Sequence, residues 1–81
     1  MNQLIQILDG AVYMQESQSI KIDALSQGQL IHCFITGADE VSLTAFYISH
    51  QFDIEEYLES MIKDEKTNSA GEVHLHIDLL R

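Results

Sequence analysis

The sequence predicts an α+β domain, a two-layer sandwich in which a short, mainly antiparallel sheet is packed on one face by helix. Three observations carry that prediction. Ile20, Ile22 and Ala24 alternate with Lys21 and Asp23, and the apolar run Leu30 to Thr36 follows one turn later; alternation at period two marks a half-buried strand. Ile54, Tyr57, Leu58, Met61 and Ile62 recur at helical spacing, which gathers them on one side of a helix. Val73, Leu75, Ile77 and Leu79 then alternate with Glu72, His74, His76 and Asp78, a closing strand with one apolar face. The order of elements is β-β-β-α-β. With 81 residues there is enough chain for one core and no second, so residues 1–81 are read as a single domain.

Each element has its own signal. Leu4 to Leu8 is apolar, carries β-branched Ile5 and Ile7, and ends at the turn pair Asp9-Gly10, so it reads as the first strand. Ala11 to Ser19 is mixed and mostly polar, a loop or a ragged continuation of that strand. Ser26-Gln27-Gly28-Gln29 supplies the turn of a β-hairpin, with Gly28 free to take a positive φ. In its second arm Ile31, Cys33 and Ile35 share one face while Leu30, His32 and Phe34 share the other. Both faces call for cover, which places this strand in the middle of the sheet. Gly37 stops it, and Asp39 or Glu40 can cap a following helix. Val41 to His50 is rich in strand formers, yet Leu43, Tyr47, His50 and Ile54 also form a helical stripe. Residues 39–66 therefore read as one helix or two. In the second case Asp53 and Glu56 would form a capping box, with Phe52 stapled onto Tyr57. Lys66 to Gly71 ends the helical segment.

Composition narrows the function classes. Thirteen acidic residues against four basic ones leave a net charge of −9. Binding to nucleic acid or to an anionic membrane surface depends on clustered Lys and Arg, so neither is expected as a partner. No apolar stretch approaches the roughly 20 residues that cross a bilayer, and Met1-Asn2-Gln3-Leu4 lacks the start of a secretory signal. Cys33 has no second cysteine to pair with, which fits a reducing compartment. The expectation is a cytoplasmic protein.

One grouping has the look of a site. His74-x-His76-x-Asp78 on a strand would set two imidazoles and a carboxylate on one face, spaced to converge on a metal; a solvated strand face is the plainer alternative. Cys33 and His32 are neighbours along a strand and so point to opposite faces, which rules out a thiol–imidazole pair between them. No phosphate loop, nucleophile elbow, CxxC pair or dinucleotide fingerprint is present, and no cofactor is expected. These features favour a small acidic interaction or regulatory protein over an enzyme. Leu30 and Phe34, on the strand face left uncovered by a single helix layer, are the expected interface of a homodimer. The alternative, from a different class, is a metal-binding protein or small metalloenzyme built on His74, His76 and Asp78.

The ordered residues also resemble a known family. Ile22-Asp23-Ala24-Leu25, Gly28 and Ile31-His32-Cys33-Phe34-Ile35 are similar to the central hairpin of a family of small uncharacterised bacterial proteins, known only as a domain of unknown function. Leu43-Thr44-Ala45-Phe46, His50, and Ile54-Glu55-Glu56 through Met61-Ile62 resemble its helical segment, and Gly71-Glu72-Val73-His74-Leu75 its last strand. Where that family often has a basic residue after the position of His50, Gln51 stands here. The resemblance, over Ile20 to Leu79, implies a compact sandwich of helix and sheet. It implies no enzyme activity and supplies no functional residues.

Overall fold

A computed structural model of the protein describes residues 5–80. Its middle is the expected hairpin: β3, Ser19–Ser26, and β4, Gln29–Thr36, pair antiparallel from Ile20↔Ile35 to Ser26↔Gln29. The two residues between them, Gln27 and Gly28, both have positive φ, 54° and 77°. That is the signature of the tight hairpin turn whose twist matches the flanking strands.

The first strand, β1, is Ile5–Ile7; Leu4 lies outside the described residues. The segment Ala11 to Ser19 contains a further short strand, β2, Val12–Met14. Both lie along the same edge of β3, β1 against 24–26 and β2 against 19–21. Residues 8–11 thus stand opposite only Ile22 and Asp23, and the excess chain bulges out at Asp9-Gly10. The bulge interrupts one edge strand rather than separating two.

The helical segment is two consecutive helices, α1, Glu40–Ser49, and α2, Gln51–Lys63. Asp39 caps α1: its Oδ1 accepts the N–H of Ser42 at 2.8 Å, and that bond holds its carboxyl below the usual carboxylate range. The break falls at His50, whose φ is −125°. Its N–H still donates to the Phe46 carbonyl and its own carbonyl still accepts from Ile54, while its ring stacks on Phe46 at 4.3 Å. The bend lets α1 lie over β3 while α2 crosses β1 and the last strand. Because α2 begins at Gln51, Asp53 sits inside its first turn and makes no capping box with Glu56. Phe52 points to solvent and staples nothing; both expectations are corrected by the earlier helix start.

The last strand, β5, Val73–His76, pairs with β4 in parallel and gives a mixed, mostly antiparallel sheet of order β1-β3-β4-β5. Asn68 holds the turn leading into it, its Oδ1 accepting the N–H groups of Ala70 and Glu72. The strand is shorter than its alternation predicts. Ile77–Leu80 is a 3-10 turn, so Ile77 is buried as expected but Leu79 is exposed and Asp78 leaves the strand.

The core lies between sheet and helices. Ile20, Ile22, Ala24, Cys33, Ile35, Val73 and Leu75 supply the sheet side; Leu43 comes from α1, and Ile54, Leu58 and Ile62 from α2. Tyr57 and Met61, on the expected apolar face of α2, are only partly buried. Each fully buried aliphatic side chain stabilises the fold by roughly 1.5–3 kcal/mol through removal from water. Cys33 belongs to this core. Burial, with a smaller contribution from the charge of Asp23, pushes its thiol up to about 11, which leaves it protonated and unreactive at neutral pH.

Candidate interaction surface

The helices cover one face of the sheet, and the other face is where the remaining side chains of β3, β4 and β5 meet. Residues opposite one another across a sheet share a face, so the register sorts this surface into rows. One row runs across β2, β3, β4 and β5: Val12, Lys21, Phe34 and His74. Beside it Asp23 faces His32, and beyond that pair Gln6, Leu25 and Leu30 line up. Leu30 is 49% exposed, and Leu25 and Phe34 are half-buried.

Histidine and carboxylate alternate over the centre of this face. His32 Nδ1–H donates to Asp23 Oδ1 at 2.7 Å, with Lys21 Nζ 3.9 Å from the same oxygen. His74 Nε2–H donates to Glu72 Oε1 at 3.1 Å, and Asn68 Nδ2 reaches that oxygen at 3.3 Å. The bonds from His74 and Asn68 hold the Glu72 carboxyl below the usual carboxylate range. The ring of His74 also lies over Phe34, centroids 5.0 Å apart and planes within 21°. Phe34 is thus covered in part by a neighbour on β5. Sequence reasoning missed the roles of Asp23, which depends on the register of β3 against β4, and of Glu72, which meets His74 along its own strand and Asn68 in the preceding turn. The alternation of charged residues with Ile22 and Val73 already placed them on the outer face.

His74 and His76 share this face as expected. Asp78, expected on the same strand, lies in the 3-10 turn, with its Oδ2 still 3.5 Å from His76 Nδ1. Its N–H donates to His76 Nδ1 at 3.1 Å, an arrangement that puts the ring proton on Nε2. Among the described residues, no group of three or more His, Cys, Asp or Glu side chains is placed to hold a metal ion. A shallow groove runs from His76 past Thr36 and Gly37 to Tyr13 and Asp39, at the end of β4. A second, between α2 and the 3-10 turn, is lined by Asp53, Glu56, Tyr57, Ser60 and Leu80. Among the described residues no hydroxyl or thiol is hydrogen-bonded to a histidine ring, as it would be in a histidine-activated nucleophile.

Charge is divided between the two layers. The open sheet face holds Lys21 and three histidines beside Asp23 and Glu72, a near balance. The helix layer holds Asp39, Glu40, Asp53, Glu55, Glu56 and Glu59, and the sequence has no Lys or Arg between Lys21 and Lys63. No helix among the described residues is long and apolar enough to cross a membrane.

A family model described as a protein of unknown function, DUF1488, matches residues 5–75 of the chain. A solved structure is also similar: a protein of unknown function from the same family in Shewanella loihica PV-4. It is 25% identical, with a TM-score of 0.78, and the match covers 93% of this chain and 94% of the other. Among curated proteins none matches the chain.

Proposed function

The chain belongs to the DUF1488 family, for which no activity is assigned, and on that premise we propose that it is a small interaction protein that self-associates through the open face of its sheet. The observation behind this reading is the half-exposed Leu30 beside Leu25, with Phe34 beyond the Asp23–His32 pair, on strands in the middle of a sheet that has helices on one side only. Large apolar side chains on either side of a polar pair in that position are unfavourable to leave in water. A two-fold contact covers them with a single self-complementary surface, and places the same face opposite itself.

The division of charge favours this face over any other for self-contact. At net −9 two copies repel one another, but the repulsion is concentrated in the helix layers. Sheet-to-sheet contact keeps those layers on the outside. It brings Lys21, His32 and His74 of one copy near Asp23 and Glu72 of the other, and salt screens the rest beyond about 8 Å at physiological ionic strength. The lone, buried Cys33 suits a reducing cytoplasm, which is where we place this activity.

Sedimentation equilibrium at micromolar concentrations tests the reading. The expected mass is that of two chains, falling to one in Leu30→Glu and in Phe34→Glu. Both side chains are partly exposed, so circular dichroism should show the fold retained in the variants. A single-chain mass at every concentration, the same in wild type and variants, would falsify the proposal.

A further inference from the structure

The outward side of the helix layer is as unusual as the open sheet face, and it faces the other way. On α1 the inward side is Leu43, Phe46 and Tyr47. At 100° per residue, Val41, Ala45 and Ile48 fall within about 60° of one another on the opposite side. All three are exposed, Val41 at 79% and Ile48 at 69%. The helix carries one charged residue, Glu40, so it is apolar inside and out. On α2 the outward side is Phe52, Glu56, Glu59 and Lys63, again within about 60°, and Phe52 is 74% exposed. The helix layer therefore presents an outer ridge with two halves: apolar from Val41 through Ile48 to Phe52, then acidic at Glu56 and Glu59. Asp53 and Glu55 flank it.

We propose that this ridge is a docking surface for a basic amphipathic helical segment of a partner protein. An amphipathic helix laid along it would cover Val41, Ile48 and Phe52 with its own apolar stripe. Lys or Arg on that helix would meet Glu56 and Glu59, where nothing basic in this chain competes until Lys63. Charge complementarity selects this occupant. A second copy of the chain, laid parallel, would set Glu56 and Glu59 against each other; laid antiparallel along the whole ridge, it would set Glu59 against Val41 and Glu56 against Ala45. An anionic lipid surface would be repelled by the same carboxylates. The proposal is independent of self-association, since the ridge and the open sheet face lie on opposite layers, and a dimer joined at its sheets leaves both ridges free.

The test uses the full chain and a fluorescently labelled synthetic peptide of Leu and Lys, spaced to form an amphipathic helix, followed by anisotropy. One control peptide has Glu in place of Lys, and another has the same composition in an order that puts Leu on no single face. The amphipathic basic peptide should bind, and the two controls should bind at least about tenfold more weakly. Ile48→Ser and Phe52→Ser should each weaken binding by about tenfold, the scale of losing one buried large apolar contact. Glu56→Gln with Glu59→Gln should weaken it less and flatten its dependence on salt. Phe34→Glu should leave it unchanged. Failure of the basic peptide to bind overturns the proposal. So does equal binding of either control, insensitivity to Ile48→Ser and Phe52→Ser, or loss of binding in Phe34→Glu, which would move the contact to the sheet.

Discussion

Gly37 sits where β4 leaves the sheet, and replacing it by alanine should be among the most damaging small changes in the chain. Its φ is +124°, outside the left-handed helical well and in territory that L side chains rarely adopt; holding a non-glycine residue there costs about 1–3 kcal/mol. A Cβ would also stand 2.7 Å from Ile77 Cγ1 and 2.9 Å from His76 Cε1. The imidazole is half-exposed and can swing away. Ile77 is 1% exposed and packed into the core, so it must shift with its neighbours, a repacking that costs about 1–3 kcal/mol more. Gly37→Ala should therefore lose about 2–6 kcal/mol, against a total stability of about 4–12 kcal/mol expected for a domain of this length. Gly28→Ala is the matched control. Gly28 also has positive φ, +77°, but a Cβ there meets nothing within 4 Å, so only the backbone preference of about 1 kcal/mol is lost. Urea unfolding followed by circular dichroism gives both values, and the difference combines the clash with the less favourable backbone of Gly37 at +124°. If the two variants unfold within about 0.5 kcal/mol of each other, the packing of Ile77 against Gly37 is not what the argument requires.

Three further outcomes can be measured in the same way. Leu58→Ala should cost about 2–5 kcal/mol through lost burial and a residual cavity, because Leu58 is fully buried, whereas exposed Glu59→Ala should change stability by less than about 0.5 kcal/mol; equal losses would mean that the inward face of α2 is misassigned. Cys33 should react with a disulfide reagent only as fast as the protein opens, because its buried thiol is pushed up to about 11; reaction at the rate of a free thiol in native buffer would contradict that. The Asp39 carboxyl lies below its ordinary value because the Ser42 N–H bonds it in the folded chain. Its contribution is thus present above the unfolded carboxyl range near 4 and fades as pH falls through the lower folded value. Asp39→Asn keeps the cap and removes the titration, so its urea midpoint should fall less steeply than wild type below about pH 4; parallel curves would exclude the effect.

The hairpin and the inward face of α2 could be read from the chain because their causes are local. Period-two alternation through Ile20, Ile22 and Ala24 needs one buried face, Gly28 permits the turn, and Ile54, Leu58 and Ile62 repeat at the helical period. His74 and His76 could be placed on the outer face for the same reason. Asp78 could not, because alternation persists in the sequence for as long as one side is apolar, while a strand persists only where a neighbour supplies hydrogen bonds. The pairing of β5 with β4 ends at Thr36↔His76; Gly37 then turns β4 away, and beyond that point the chain tightens into a 3-10 turn.

What the sequence determined by itself was the class of fold, the inward faces of the strands and of α2, and the acidic balance of charge. Only the tertiary structure decided that His32 meets Asp23 and that His74 meets Phe34. It also decided that the helix breaks at His50, and that Val41, Ile48 and Phe52 remain outside. The physical reason is the range of the interactions. Burial of a periodic face is decided within one element, whereas a hydrogen bond across strands depends on register and neighbour order, set by contacts between residues far apart in the chain. An apolar side chain is left exposed only when every inward direction is already filled, and that is known only once the whole core has been packed.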